Sequence, residues 1–414
     1  MSNIEMPKGY KQTELGIIPE DWTLERFEDI CWVNQGLQIA IEKRFKREVS
    51  NSKKYITIQY INNSKEVEYI QDYQNSVVCN KEDLLMTRTG NTGFLVTNVS
   101  GVFHNNFFKI NYNKEKLDRL YLIYFMNKKK FKKLLLEKAG TSTIPDLNHK
   151  DFFSLPIFYP LKPEQQAIAN VLSNTDELIQ ALEKLIEKKK NIKEGTMQQL
   201  LTGKMRLKEF NEEWEVKKLE EIGDITGAGV DKKINQDEEP VRLLNYLDVY
   251  RRDYIYSKEL EHWVTTTKNK LIGCSVKKGD LFFTPSSELR EDIGISALAM
   301  EDMEGVVYSY HIDRFRLNIP FNDLYRLYML KTRKFLSQCE TFCEGSGKRY
   351  VISMGKFREM EITYPKSLKE QETIAQILTD MDNEIDTLKQ KLNKYKQIKE
   401  GMMQQLLTGK IRLM

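Results

Sequence analysis

The chain holds no apolar run of about 18 residues, so no segment reads as a membrane-spanning helix. Its opening, Met1-Ser2-Asn3-Ile4-Glu5-Met6-Pro7-Lys8, lacks the apolar core of a secretion signal, and a cytoplasmic protein is expected. Cysteine is scarce: Cys31, Cys79, Cys274, Cys339 and Cys343 form no CxxC pair. The four histidines, His104, His149, His262 and His311, stand isolated along the chain. Zinc patterns and disulfide frameworks are thereby disfavoured, and reduced structural thiols are expected. An excess of one charge is missing too. Against 64 basic residues stand 60 acidic ones, a net charge of +4, so contact with a polyanion must be local or shared with partner subunits.

Catalytic signatures are broken or absent. Glu344-Gly345-Ser346-Gly347-Lys348-Arg349 imitates a P-loop, but Phe342 stands where glycine is needed and Arg349 where Ser or Thr must hold the metal. Thr226-Gly227-Ala228-Gly229-Val230 hints at a glycine-rich cofactor loop without a strand–helix frame or acidic partner, and a turn is the better reading. An amino-methyltransferase would need an Asn/Asp-Pro-Pro-aromatic loop, and no Pro-Pro pair occurs. Pro145-Asp146 and the distant Glu187-Lys188-Lys189 resemble a nuclease motif only as text, since the latter fall on a long helix. No catalytic residue, metal or cofactor is expected; the chain reads as a binder.

What the sequence does have, it has twice. Residues 192–207 read IKEGTMQQLLTGKMRL and residues 398–413 read IKEGMMQQLLTGKIRL, fourteen of sixteen identical, the exceptions being Thr196/Met402 and Met205/Ile411. The offset of 206 also aligns Glu164-Gln165 with Glu370-Gln371, Ile168-Ala169 with Ile374-Ala375, Leu172 with Leu378 and Asp176 with Asp382. Upstream the offset shrinks. Ile157, Tyr159 and Pro160 answer Ile362, Tyr364 and Pro365; Lys81 to Thr87 (KEDLLMT) answers Lys278 to Thr284 (KGDLFFT); Trp22 to Ile30 answers Trp214 to Ile222. The ends of each copy match while the interiors diverge, the pattern of one scaffold carrying two different readings.

Each copy predicts an α+β globule followed by a helix of about 40 residues, roughly 58 Å long from Pro163 to Leu201. Pro163 and Glu164 suit a first turn, and Ser367 with Glu370 forms a capping box before the second helix. Gly203 and Gly409 are suited to left-handed caps at the ends. Positions 168, 172, 175, 179, 182, 186 and 189, with their counterparts 374, 378, 381, 385, 388, 392 and 395, follow a heptad seam, so the two helices are expected to pair with each other. Tyr55–Ile61 and Gly305–Tyr310 read as strands, and Tyr121–Met126 and Leu324–Leu330 as buried helical segments.

An ordered set of motifs runs through both copies. Gly16-Ile17-Ile18-Pro19 leads to Trp22; KxDL with two apolar residues and Thr follows; then IxYP, a Glu-Gln pair, and the terminal QQLLTGK. In this set the chain resembles the specificity subunit of type I restriction-modification systems over essentially its whole length. The second copy departs at its start, with Phe210-Asn211-Glu212-Glu213 in place of the G-Φ-Φ-P segment. The resemblance implies two pseudo-repeated target-recognition domains, residues 1–160 and 205–365, separated by two long antiparallel spacer helices, 161–204 and 366–414. It implies a non-catalytic subunit that reads a split double-stranded DNA sequence alongside two methyltransferase subunits and two restriction-translocase subunits.

Base reading calls for Arg, Lys, Asn and Gln on loops, and phosphate contact for Lys, Arg, Ser and Thr. The loop after the KEDLLMT strand supplies Arg88, Thr89, Asn91 and Thr92; its counterpart after KGDLFFT supplies Ser286, Ser287 and Arg290. A second loop before each exit strand supplies Thr141, Ser142 and Asn148 in copy one, and Lys348, Arg349 and Tyr350 in copy two. These are the candidate DNA contacts. Arg47, Arg251 and Arg252 are weaker candidates, because exposed charges are usually only solubilising.

Overall fold

The computed structural model describes residues 7–140 and 145–413. The chain divides into two compact units, Met1–Glu183 with Gln390–Met414, and Lys184–Lys389. Each unit thus combines one α+β globule with the beginning of one long helix and the end of the other.

In the first unit, a four-stranded antiparallel sheet runs in the order Cys31–Gln35, Phe107–Tyr112, Leu84–Thr87, Leu95–Val96. A second sheet, in the order Glu68–Ile70, Lys53–Ile56, Gly101–Phe103, Val78–Cys79, contains one parallel pairing. Leu84–Thr87 is buried at every residue because its two faces meet different cores. Leu85 and Phe107 face Tyr55, Val102 and Phe103 of the second sheet. Leu84, Met86, Phe108 and Ile110 face Tyr121, Phe125, Phe131 and Leu135 of the helices Arg119–Met126 and Lys129–Ala139. Burial on both sides turns the usual polar alternation into a continuous apolar run.

The second unit repeats this plan. Its five-stranded sheet runs Gly223–Thr226, Asp313–Leu317, Leu281–Phe283, Ser296–Ala299, Tyr254–Ile255; its four-stranded sheet runs Trp263–Thr266, Glu239–Leu244, Met303–Tyr308, Ser275–Val276. Here Phe282 enters the core between the sheets, while Leu281 and Phe283 join the helix side.

The long helices span Lys162–Leu200 and Leu368–Leu406, 39 residues each. They end in turns with Gly203 and Gly409 at φ +68°, the left-handed geometry that favours glycine. Within each unit they pair antiparallel. In the first, Asp176 meets Lys399 and Glu183 meets Lys396 at 2.7 Å; in the second, Lys189 meets Glu384 at 2.6 Å and Lys193 meets Asp382. The seam positions Ile179, Leu182, Ile186 and Ile385 are buried, as the heptads predict. Lys189, polar at a seam position, reaches outward to Glu384.

The near-identical terminal segments have a structural reason. In the first unit Arg412 forms a fork with Glu164 (2.7 and 2.8 Å), bonds Asp21 (2.9 and 3.0 Å) and lies over the Trp22 ring. In the second, Arg206 forks onto Glu370 (2.9 and 3.1 Å) over the Trp214 ring. The repeated Trp, Glu-Gln and TGK-x-R-L elements are the two halves of one latch, made once in each unit.

Two local expectations are corrected. Tyr55–Ile61 is not one strand: the strand ends at Ile56, and a helix spans Ile58–Asn62 because the Thr57 hydroxyl accepts from the Tyr60 amide at 3.1 Å and so caps it. The capping box at Ser367 is only half made. Its hydroxyl accepts from the Glu370 amide at 3.3 Å, but the Glu370 carboxylate is taken by Arg206 and the Trp214 indole. Among the described residues no group of three or more His, Cys, Asp or Glu side chains could hold a metal ion, and no helix is long and apolar enough to cross a membrane. The five cysteines are free and buried.

Candidate nucleic-acid interface

The two candidate loops of each copy are built on one frame. In the first unit the strand Leu84–Thr87 ends at a buried Thr87, whose hydroxyl accepts from the Phe94 amide at 2.9 Å and donates to the Asn91 carbonyl. Gly93 closes the loop with its amide on the Thr87 carbonyl at 2.8 Å. A Cβ on Gly93 would stand 2.5 Å from Leu135, and its φ is +78°. In the second unit the Thr284 hydroxyl donates to the Asp292 carbonyl at 2.8 Å, the Gly294 amide donates to the Thr284 carbonyl at 3.0 Å, and a Cβ on Gly294 would meet Cys339. From Thr87 to Gly93 is six residues and from Thr284 to Gly294 is ten, so the second loop is four residues longer between the same two fixed points.

The second candidate loop is tied to the first in the same way in both units. The Leu147 amide donates to the Arg88 carbonyl, and the Ile352 amide to the Pro285 carbonyl, both at 2.9 Å. Thr89 bridges Asp146 as Ser286 pairs with Val351. Next come two short helices capped by Asn148 and Ser353, whose side chains accept from the Asp151 and Lys356 amides. Asn148 is therefore occupied as a cap, with its amide group on the Asp151 carboxylate.

On this shared frame the side chains differ. In the first unit Arg88 meets Asp146 through Nε at 3.1 Å and Nη2 at 3.0 Å, and its Nη1 donates to Gln35 Oε1 at 3.4 Å. His149 Nε2 lies 3.0 Å from the same Gln35 oxygen. The Gln35 amide nitrogen donates to the Asn105 carbonyl at 2.6 Å and to the Phe107 carbonyl at 3.3 Å, so Oε1 must be the acceptor and His149 the donor. Burial, and then the Arg88 charge, lower the His149 pKa and so favour the neutral ring. Thr92 donates to the Arg88 and Pro145 carbonyls, while Asn91 is exposed at the loop tip. Thr141 and Ser142 lie outside the described residues.

In the second unit the second loop is a β-hairpin, Glu344–Ser346 with Arg349–Val351, to which Ser286–Ser287 adds a third strand. Ser286, Ser287, Lys348 and Arg349 line one cleft of about 650 Å³. Arg349 donates to the Ser286 hydroxyl at 2.9 Å, and the Ser287 hydroxyl lies 3.3 Å from Asp292. Arg290 stacks on the Tyr350 ring at 4.8 Å and donates to the Glu340 carbonyl at 3.2 Å. The cleft also takes in Tyr246 and Tyr250, stacked with centroids 5.8 Å apart, and His311. Burial lowers the His311 pKa first, helped by nearby Lys232 and Arg349. Of the weaker candidates, Arg252 is paired with Asp248 at 2.9 Å.

Sequence reasoning missed Gln35, His149, Tyr246, Tyr250 and His311. The Tyr-x-x-x-Tyr spacing behind the Asn245 cap was the one signal available for the tyrosine pair. Both sites offer hydrogen-bond donors and acceptors on tied loops, and the second adds the stacked tyrosines and the charges of Lys348 and Arg349, which is chemistry for reading nucleic-acid edges and backbone.

Comparison with known proteins gives a consistent result. The model of the type I restriction modification DNA specificity domain matches twice, over residues 19–194 and 211–397. The type I restriction enzyme MjaVIII specificity subunit of Methanocaldococcus jannaschii is 26% identical over 409 residues, covering 96% of this chain and 94% of that protein. The putative type I restriction enzyme MjaX specificity subunit of the same organism is 26% identical over 445 residues, covering 98% and 97%. The crystal structure of a type I restriction-modification S subunit from M. genitalium aligns with a TM-score of 0.52 at 16% identity, covering 97% of this chain and 98% of that one. A chain from a structure described for the complex assembly and conformational transition of the type I R-M system aligns with a TM-score of 0.57 at 13% identity, covering 95% and 99%. At these identities the structural likeness speaks to the fold alone.

Proposed function

The chain belongs to the family of type I restriction-modification DNA specificity domains, carrying that domain twice, and from that premise we propose that it is the DNA sequence-specificity subunit of such a system. It reads a bipartite double-stranded target with recognition domains at residues 1–160 and 205–365, and the helical segments 161–204 and 366–414 act as spacers. It contributes recognition rather than chemistry, and it works in the cytoplasm with methyltransferase and restriction-translocase subunits. The observation that carries this reading is the loop frame: Thr87 to Gly93 and Thr284 to Gly294 are pinned alike in both units, yet the residues between and beside those points differ in number and in sequence. One scaffold holding two different sets of edge-reading groups is what a split target requires.

On this reading Arg88, Thr89, Asn91 and Thr92 contact one half-site, with Thr141 and Ser142 as further candidates, while Asn148, occupied as a helix cap, holds the loop in place. Ser286, Ser287, Arg290, Lys348, Arg349 and Tyr350 face the other. The test is to produce the chain with its methyltransferase subunit in a host lacking both, then map the methylated positions. A two-part motif with a fixed gap is expected. A one-part motif, or methylation indifferent to this chain's presence, overturns the reading.

A further inference from the structure

We propose that Arg88 reads a guanine and that Asp146 and Gln35 are the positioning residues that hold it for that task; this rests on the reading of the chain as a DNA specificity subunit. Arginine has five N–H donors. The Asp146 carboxylate takes one from Nε and one from Nη2, and Gln35 takes one from Nη1. One donor remains on each terminal nitrogen, and guanine's N7 and O6 are a pair of acceptors that two such donors satisfy. The arrangement is held from every side. The Arg88 amide donates to the Asn106 carbonyl at 2.8 Å, and its carbonyl accepts from Leu147 at 2.9 Å. Gln35 is fixed by its own two bonds to backbone carbonyls and by His149.

Charge separates base reading from backbone contact. An arginine holds a phosphate chiefly through its positive charge, and Asp146, whose side chain is 49% exposed beside Arg88, offsets that charge and repels a phosphate. What the neutral pair retains is directional donors, which suit a base edge. The frame positions equivalent to Gln35, Arg88, Asp146 and His149 in the second unit are Gly227, Pro285, Val351 and Met354. Gly227 itself offers no side chain, and a Cβ there would stand 2.5 Å from the Asp313 carboxylate oxygen, so that unit carries no counterpart to Gln35. The network therefore governs one half of the target only.

The experiment uses the full chain with its methyltransferase subunit and maps methylated sites for wild type, Arg88→Lys and Asp146→Asn, alongside binding to unrelated DNA at several salt concentrations. Lysine keeps the charge and loses the fork, so R88K should cost one guanine position its preference by about tenfold or more. D146N keeps Arg88 but loosens it, and should relax the same position to a smaller degree. The other half-site and the salt dependence of non-specific binding should not change. A wild-type motif that both variants retain unaltered overturns this proposal while leaving the specificity reading intact. Loss spread evenly over all sequences, or over both half-sites, also overturns it, because that marks a phosphate contact or a framework role. If wild type programs no split motif, the specificity reading fails and this proposal with it.

Discussion

Replacing Arg206 by Ala should open the end of the first long helix in the second unit. Its partner Glu370 has a side chain only 1% exposed, while Arg206 is 29% exposed. Removing one member of a fully buried pair costs about 3–5 kcal/mol, because the remaining charge stays desolvated. Partial exposure of the arginine brings this case at or below the bottom of that range, about 2–3 kcal/mol by the same reasoning. Loss of the guanidinium from the Trp214 ring, 5.4 Å away, adds about 0.5–1 kcal/mol. The Trp214 indole, 3.2 Å from Glu370, is the one contact of this latch left to the carboxylate. A total near 3 kcal/mol corresponds to roughly a hundredfold more frequent opening, read as faster amide hydrogen exchange over residues 201–207. Arg206→Lys should fall between, since lysine restores charge without the fork. Exchange in R206A within threefold of wild type, at an unchanged urea midpoint, would refute the latch. Arg412→Ala should do the same over residues 407–413 in the first unit, where Glu164 is 9% exposed.

Two pH-dependent predictions follow from buried ionisable groups. Burial pushes the Asp313 carboxyl up to about 6 from 3.8, so its favourable contribution is complete below about pH 4 and lost as pH rises through 6. Asp313→Asn should therefore be more stable than wild type by about 2–3 kcal/mol at pH 8, with the gap closing toward pH 4; a gap independent of pH in urea titrations would contradict this. Burial, then the neighbouring Lys130, pushes the Lys128 ammonium down to about 7 from 10.5. Its favourable contribution is present above pH 10.5 and lost as pH falls through 7. Relative to Lys128→Met, wild type should gain stability between pH 7 and 9, by up to about 1.4 kcal/mol per unit, and a flat difference would refute the assignment.

The parts of this fold that were legible in the sequence are those that repeat. The duplication, the KxDL strands, the glycine caps and the heptad seam each rest on local spacing or internal identity, and the structure carries all four. Tyr55–Ile61 misled because its β-branched and aromatic residues outweighed one capping threonine, Thr57. The Ser367 box misled because Glu370 was claimed by Arg206, 164 residues away. The candidate loops were found by comparing the two copies, but their inner layer was not. Arg88 meets Asp146 and Gln35 across 58 and 53 residues, and His149 meets Gln35 across 114. No spacing rule links such residues. His149, isolated along the chain, becomes a partner of Gln35 only when the fold brings the two together.

If one scaffold carries two independent readers, exchanging one of them is the most direct test. Residues 210–360 would be replaced by the corresponding interior of another specificity subunit, leaving residues 1–209 and the second long helix in place. The chimera would be produced with the methyltransferase subunit and its methylated sites mapped. One half of the bipartite motif is expected to change to that of the donor while the other half and the gap between them remain. A motif altered in both halves, or an unaltered motif, would contradict it.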